Sequence, residues 1–346
     1  MAFTPEDNDV APRREFLGKL AALGTAAMLP GELLAASKPK PFRIDVHHHL
    51  IPPGYLDEVG ARRQGGGGVK WSPELSIEDM DKNRIEKSVL SIVQPAVWFG
   101  DVEQGRKLAR ECNEYGAQLA RDHPGRFGSF AQIPLPDPDG SLKEIEYAFG
   151  TLKADGIGLM TSYQDKYLGD ASFAPVYEEL NRRKAVVYTH PLTPDCCRNV
   201  VKGLPPGVIE YATDTTRTIA SLVFSGTAAR YPDIRWIFSH SGGTMPFLLS
   251  RFEREEATMK EREQRIPRGF LYELKKFHYD TAQGNHKGAL DALTRIAAPA
   301  HILFGTDFPF RPGAEEVHGL GAFFKAKDLR AIERGNALRL MPTLKA

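Results

Sequence analysis

The stretch "RIDVHHHL" (residues 43–50) puts three imidazoles in a row, at His47, His48 and His49. Imidazole binds divalent metals and moves protons near neutral pH, so what matters is which of the three can act together. In an extended strand, successive side chains point to opposite faces. Asp45, His47 and His49 are therefore expected on one face, and Ile44, Val46 and His48 on the other. If the apolar members of the second set pack against helices, the first set turns inward. His47 and His49 can then grip one ion together, while His48 is a packed or solvent-touching histidine. Asp45 is expected to orient a ligand imidazole from behind. Three more chemistry-bearing groups each follow an apolar run: His190 in "VVYTHP", His240 in "WIFSHSGG" and Asp307 in "ILFGTDFPF". Each is a metal ligand or an acid–base group in waiting. His123, His278, His286, His301 and His318 lack this setting and read as structural or surface residues.

The elements that must position these groups alternate in type. Short β-branched runs are expected as strands at 43–49, 87–94, 128–135, 156–163, 185–191, 235–242, 276–282 and 301–307. Amphipathic helices are expected at 103–122, 138–153, 174–184, 213–230, 244–264 and 286–297, the one at 213 opening on the capping residues Thr213, Asp214, Thr215 and Thr216. This alternation argues for an α/β fold with a parallel sheet, and eight such units argue for a closed (β/α)₈ TIM barrel. A doubly wound open sheet is the alternative, but it usually carries a Gly-rich turn after its first strand, where this chain has histidines.

Spacing favours closure. A barrel of ~250 residues uses roughly 31 per βα unit. His49 and His190 are 141 residues apart, about four units plus an insertion; His190 and His240 are 50 apart, about one unit with a long loop; His240 and Asp307 are 67 apart, about two units. The groups fall on strands one, five, six and eight. Strands eight and one are neighbours only in a closed barrel, so only there can all five side chains converge, at the C-terminal mouth.

Of the 346 residues, 42% are hydrophobic and 26% charged, and the formal net charge is +1. That balance gives no reason to expect nucleic acid or an anionic membrane as partner. No long apolar run suggests a membrane span. Residues 1–37, with Arg13-Arg14 before Phe16-Leu17, an Ala/Leu/Gly stretch and a close on Ala35-Ala36-Ser37, read as a cleaved twin-arginine-type export signal. The mature protein is then periplasmic, or cytoplasmic if an amphipathic N-terminal helix is the better reading, and residues 38–346 form a single barrel domain. Gly65 to Gly68 read as part of a mobile lid or an insertion. Cys112 is expected as a buried small apolar residue. For Cys196 and Cys197 a vicinal disulfide, a substrate contact and idle or packing thiols are all open, the last being favoured.

Taken together, "RIDVHHHLIPPGYL", "YLGDASFAPVYEELNRRKAVVYTHP", "YPDIRWIFSHSGGTMPFLLSRFER" and "FGTDFPF" resemble the amidohydrolase superfamily, in its aminocarboxymuconate-semialdehyde decarboxylase-like branch. The resemblance runs from residue 43 to the end of the chain. It implies one divalent metal with His47, His49 and His190 as ligands, and Asp307 as a further ligand or proton carrier. It also implies His240 as a catalytic histidine close to the metal, Arg251 as a contact for the substrate carboxylate, and a homodimer. Two-metal members carry a bridging lysine or glutamate at the end of strand four, and "GIGLMTSY" has neither. Three imidazoles, one carboxylate and an open position describe a mononuclear catalytic site, suited to zinc first and manganese second.

The expected activity is non-oxidative decarboxylation of an aromatic or unsaturated carboxylic acid, a small molecule. The metal holds negative charge, and Asp307 or His240 supplies the proton. Phe308-Pro309-Phe310 and Trp98-Phe99 are candidates for an apolar wall against a ring. A metal-dependent hydrolase of a lactone, ester or amide is the competing reading, and a non-catalytic ligand binder a third.

Overall fold

The computed structural model describes residue 40, residues 42–60 and residues 69–345. The export-signal reading of residues 1–37 and the lid reading of residues 65–68 lie outside the described residues. Eight parallel strands follow one another around a barrel in chain order: β1 (Arg43–Leu50), β2 (Ile85–Ile92), β3 (Phe127–Gln132), β4 (Gly156–Met160), β5 (Val186–His190), β6 (Arg235–Phe238), β7 (His278–Asp280) and β8 (Ile302–Leu303). The ring closes between the chain after β8 and β1. Val46 donates to the Phe304 carbonyl at 3.0 Å, Asp307 to that of His47 at 2.7 Å, and His49 to that of Phe308 at 2.8 Å. All eight expected strands are present, and the open-sheet alternative is excluded by this closure.

Helices α1 (Pro73–Lys82), α2 (Val102–Asp122), α3 (Pro138–Tyr147), α4 (Ala174–Arg182), α5 (Gly207–Phe224), α6 (Met245–Thr258), α7 (Lys287–Ile296) and α8 (Gly313–Phe323) cover the strands. Local chemistry starts several of them: Ser72, Asp101 and Asp137 accept backbone N–H groups of the first turn, with Pro73 and Pro138 just inside two of these starts. Helix α5 departs from expectation, opening at Gly207 with Thr213–Thr216 inside it. The Asp214 side chain is taken up by tertiary donors, Thr161 Oγ1 and, at 2.6 Å, Tyr167 Oη. A residue type that favours caps also serves in mid-helix when a neighbouring segment supplies its partners. Tyr167 belongs to a short hairpin, Ser162–Tyr163 against Lys166–Tyr167, that the sequence reading missed.

The core has two layers. Leu90, Ile157, Leu159, Val187, Phe238 and Phe304 face the helices. Inside the barrel, Ile44, Val46, Val89, Phe130, Tyr188, Ile237 and Leu303 pack with Ala337, Leu340, Met341 and Leu344, so the C-terminal segment plugs one mouth. Lys87 Nζ and Arg235 Nη1 hold that plug through the carbonyls of Leu344 (3.1 Å) and Leu340 (2.6 Å).

This corrects the face assignment in β1. Asp45 pairs with Ser88 and His48 with Leu90, so Val46 and His47 together occupy one position opposite β2. The bulge breaks the alternation. Ile44 and Val46 point into the barrel rather than toward helices, and so do His47 and His49. Asp45 points outward with His48 and does not support a ligand imidazole side chain. It accepts from Thr306 N (3.0 Å) and Thr306 Oγ1 (2.6 Å), and its other outward contact is His48 Nδ1 at 3.0 Å. His48 is fully buried, 3.0 Å from Ser76 Oγ of α1 and stacked on Phe308. It is a packed histidine, as expected.

Cys112 is buried and free, with its thiol pushed up by burial, while Cys196 and Cys197 form a vicinal disulfide, one of the three alternatives and not the favoured one.

Candidate metal centre and active site

At the open mouth, one ligand-type atom from each of His47, His49, His190 and Asp307 lies within 4.8 Å of the other three, and all four residues are buried. Asp307 Oδ1 is 3.0 Å from His49 Nε2 and 3.3 Å from His47 Nε2, and the two Nε2 atoms are 3.1 Å apart. Adjacent donors around one ion with bonds of roughly 2.0–2.2 Å stand about 2.8–3.6 Å from each other, from octahedral to tetrahedral geometry. The other nitrogen of each ring is already engaged. His47 Nδ1 donates to Asp280 Oδ2 at 2.8 Å, His49 Nδ1 to the Ser91 carbonyl at 3.3 Å, and His190 Nδ1 to the Pro191 carbonyl at 2.9 Å. These partners assign the tautomers that leave Nε2 free, the arrangement of a metal-ligating histidine.

The electrostatics ask for positive charge at this point. Burial alone would strip the proton from His47, but the Asp280 and Asp307 carboxylates outweigh it and hold the ring up at about 10. Burial pulls His49 and His190 down, and neighbouring imidazoles add to this. Burial pushes the Asp307 carboxyl up, yet His47, His240 and His49 together keep it well below the ordinary carboxylate range. Two buried carboxylates on one imidazole are satisfied by a proton or, better, by a divalent cation between Nε2 and Asp307. The donor set therefore fits one divalent metal.

His240 follows β6 and stands beside this cluster. Its Nε2 is 3.6 Å from Asp307 Oδ2, and neither ring nitrogen makes a hydrogen bond among the described residues. Its ring lies 4.9 Å from that of His47 and stacks at 6.5 Å on Tyr211. The backbone here is unusual: His240 (φ 53°) and Asp307 (φ 64°) both sit in the left-handed region, a cost that surrounding structure must impose. The double glycine after His240 is explained by contact. A Cβ on Gly243 would lie 2.0 Å from the Ala212 carbonyl of α5, so only glycine lets this turn pass the helix.

Asp280, the last residue of β7, was missed by the sequence reading. One of its oxygens takes His47 Nδ1, and the other takes the backbone N–H of His240 (2.9 Å) and of Ala282 (3.1 Å). It thus fixes a candidate ligand, His47, and the backbone of His240 at once, the support role expected of Asp45. Its signal was present: "KFHYDTA" is an expected strand that carries a carboxylate toward its C-terminal end, as "ILFGTD" does. Gln283, also missed, donates from Nε2 to Asp307 Oδ2.

A cavity of about 290 Å³ opens onto His190 and Asp307 and is lined further by Gln94, Thr193, Tyr211, Gln283, Phe310 and Arg311. Phe310 is thus in the wall, whereas Phe308 packs on His48, and Trp98 and Phe99 line a neighbouring cavity. Arg251 is not brought to this chamber. It is exposed on α6 and lines a separate groove with Phe224 and Phe252. The cation that lines the chamber is Arg311, paired with Glu315 at 2.7 Å.

A family model described as amidohydrolase matches residues 44–343. The chain is 37% identical to the decarboxylase macB of Penicillium terrestre, over 87% of this chain and 95% of the relative. It is 36% identical to a 6-methylsalicylic acid decarboxylase of Penicillium expansum, over 88% of this chain and 97% of the relative. Among solved structures it is similar to an amidohydrolase II, with a TM-score of 0.79, 27% identity, and 87% and 99% of the two chains covered.

Proposed function

The chain belongs to the amidohydrolase family, and we propose that within it the protein is a metal-dependent, non-oxidative decarboxylase, a carbon–carbon lyase acting on a 2-hydroxybenzoate-type aromatic acid. The observation that carries this reading is a buried cluster of three imidazoles and one carboxylate, with a histidine free of hydrogen bonds beside it, opening on a chamber of about 290 Å³. It stands in a chain more than one-third identical to decarboxylases along nearly its whole length.

His47, His49, His190 and Asp307 are assigned as the metal ligands. A divalent ion there supplies Lewis-acid stabilisation of the negative charge that builds up as the carboxyl group leaves. On the donor set, zinc is assigned ahead of manganese. The remaining work falls to the chain. Asp280 holds His47 and the His240 backbone in register. His240 and Asp307 face one another at 3.6 Å, close enough for a proton to pass with a small side-chain motion. Asp307 is assigned as the donor to carbon and His240 as the group that resupplies it. The ring carbon gains that proton, the bond to the carboxyl carbon breaks, and CO₂ leaves. Arg311 is the cation in the chamber wall available to an anionic substrate. For Arg251 to touch a substrate it would have to reach one bound in a second copy of the chain, so its assignment stands or falls with that of a homodimer.

The test is CO₂ release from 6-methylsalicylate and related 2-hydroxybenzoates by metal-loaded protein, with elemental analysis of the same sample. The expected result is the matching phenol, one equivalent of CO₂, and loss of activity on chelation. Turnover of lactones or esters without CO₂ from any aromatic acid would replace this reading with the hydrolase one. No helix among the described residues is long and apolar enough to cross a membrane. Export to the periplasm through residues 1–37 is proposed from sequence, and fractionation of wild-type and Arg13→Lys, Arg14→Lys proteins tests it.

A further inference from the structure

The proposed reaction asks two things of Asp307: one oxygen for the metal and one for the proton. The structure already divides them. Oδ1 is turned to the ligand nitrogens, 3.0 Å from His49 Nε2 and 3.3 Å from His47 Nε2. Oδ2 accepts a hydrogen bond from Gln283 Nε2 and faces His240 Nε2 at 3.6 Å. The mechanism above gives Gln283 no part.

A tied-down turn delivers Gln283 to this point. Ala282 N–H is held by Asp280 Oδ1 at 3.1 Å, Thr281 Oγ1 donates to the Leu303 carbonyl at 3.3 Å, and the Gly284 N–H closes the turn on the Thr281 carbonyl at 2.9 Å. Gln283 itself sits in the left-handed region (φ 55°), which a non-glycine residue holds only where its surroundings impose it. Gly284 is where the turn meets the segment after His240: a Cβ there would lie 2.2 Å from Ser241 Oγ. Asp307 is fixed from the other side, by its N–H on the His47 carbonyl at 2.7 Å. The Gln283 side chain is exposed at the mouth and lines both the chamber over Asp307 and a cavity of about 470 Å³ that holds His240.

We propose that Gln283 is a positioning residue: by holding Oδ2 it keeps Asp307 to one oxygen at the metal point and leaves the other facing His240. The inference rests on the metal-dependent decarboxylase reading. A carboxylate beside a divalent cation binds through one oxygen or through both. An Oδ2 without a donor of its own turns to the cation, which fills the position a substrate needs and removes the oxygen that faces His240. An amide suits the task because its N–H competes for Oδ2 without a charge. A lysine or arginine at the same place would set a second cation against the metal.

The test compares wild-type, Gln283→Leu and Gln283→Ala proteins, each loaded with Co(II), whose visible absorption weakens as its coordination number rises. Both variants remove the donor from an exposed side chain, so their melting temperatures are expected to match the wild type. Their Co(II) absorption is expected to weaken, and their metal affinity, read by competition with a chelator, to hold or rise. Decarboxylation of 6-methylsalicylate is expected to fall by about 10–100-fold in kcat/KM. Absorption that is unchanged or stronger in both variants overturns the proposal, whatever the activity does. So does a metal affinity that falls in step with activity, because Gln283 then only supports a ligand. If the wild type releases CO₂ from no aromatic acid, the decarboxylase reading fails, and absorption and affinity decide the role of Gln283 alone. If the wild type takes up no Co(II), the metal assignment falls and the proposal falls with it.

Discussion

Strand β7 begins at His278 and ends at Asp280, and its two ends serve opposite mouths of the barrel. His278 stacks on His301 at 4.7 Å near the plugged mouth, and Asp280 holds His47 and His240 at the open one. The same contrast holds for the whole barrel. At the plugged mouth, Leu340, Met341 and Leu344 fill the interior. At the open mouth, buried carboxylates and imidazoles crowd together, and His240 and Asp307 adopt left-handed backbone. One end gains stability by burying apolar surface. The other spends stability to hold charge and strain where chemistry needs them. Changes at the two ends should therefore separate activity from stability.

The sharpest break of that contrast is Asp307→Asn. It should leave a folded protein and lower kcat by ~10²–10⁴; near-normal turnover would remove Asp307 from proton transfer. At the other end, Leu340→Ala should cost about 2–4 kcal/mol in denaturant unfolding, because a nearly buried side chain leaves a cavity, while kcat stays unchanged. A matching fall in kcat would mean that the plug also shapes the site. Asp280→Asn should weaken metal binding by about 10–100-fold, read by competition with a chelator, with only a small change in melting temperature. Unaltered metal affinity would make Asp280 a packing group.

The smallest expected effect sharpens the comparison through pH. Burial, with His301 nearby, pulls His278 down to about 3 in the folded protein. The unfolded chain then binds the extra proton first as pH falls below 6.5. Stability from this group is complete above 6.5 and is lost progressively toward 3. His278→Gln should therefore flatten the acid side of the melting-temperature profile, by about 1–2 kcal/mol between pH 7 and pH 5, without moving kcat at pH 7. An unchanged profile would place the acid sensitivity elsewhere.

The parts of the fold that were legible share a cause. Most barrel strands are short runs rich in apolar and β-branched residues whose pattern is local, and His190 and Asp307 each close or follow such a run. The parts that were missed are non-local. The start of α5 was misplaced because Asp214 finds its partners in the hairpin, about fifty residues upstream. The support role was given to Asp45 instead of Asp280 because alternation was assumed in β1, and the bulge at Val46 and His47 exists only in the pairing with β2.

By itself, then, the sequence determined which donors the protein owns and in what order the chain delivers them to a barrel mouth, since apolar period and chain spacing are properties of one strand at a time. Only the tertiary structure decided which carboxylate backs which imidazole, which ring nitrogen faces the common point, and which arginine lines the chamber. Those outcomes depend on register between strands and on close contact between segments far apart in the chain, and no run of residues carries that information alone.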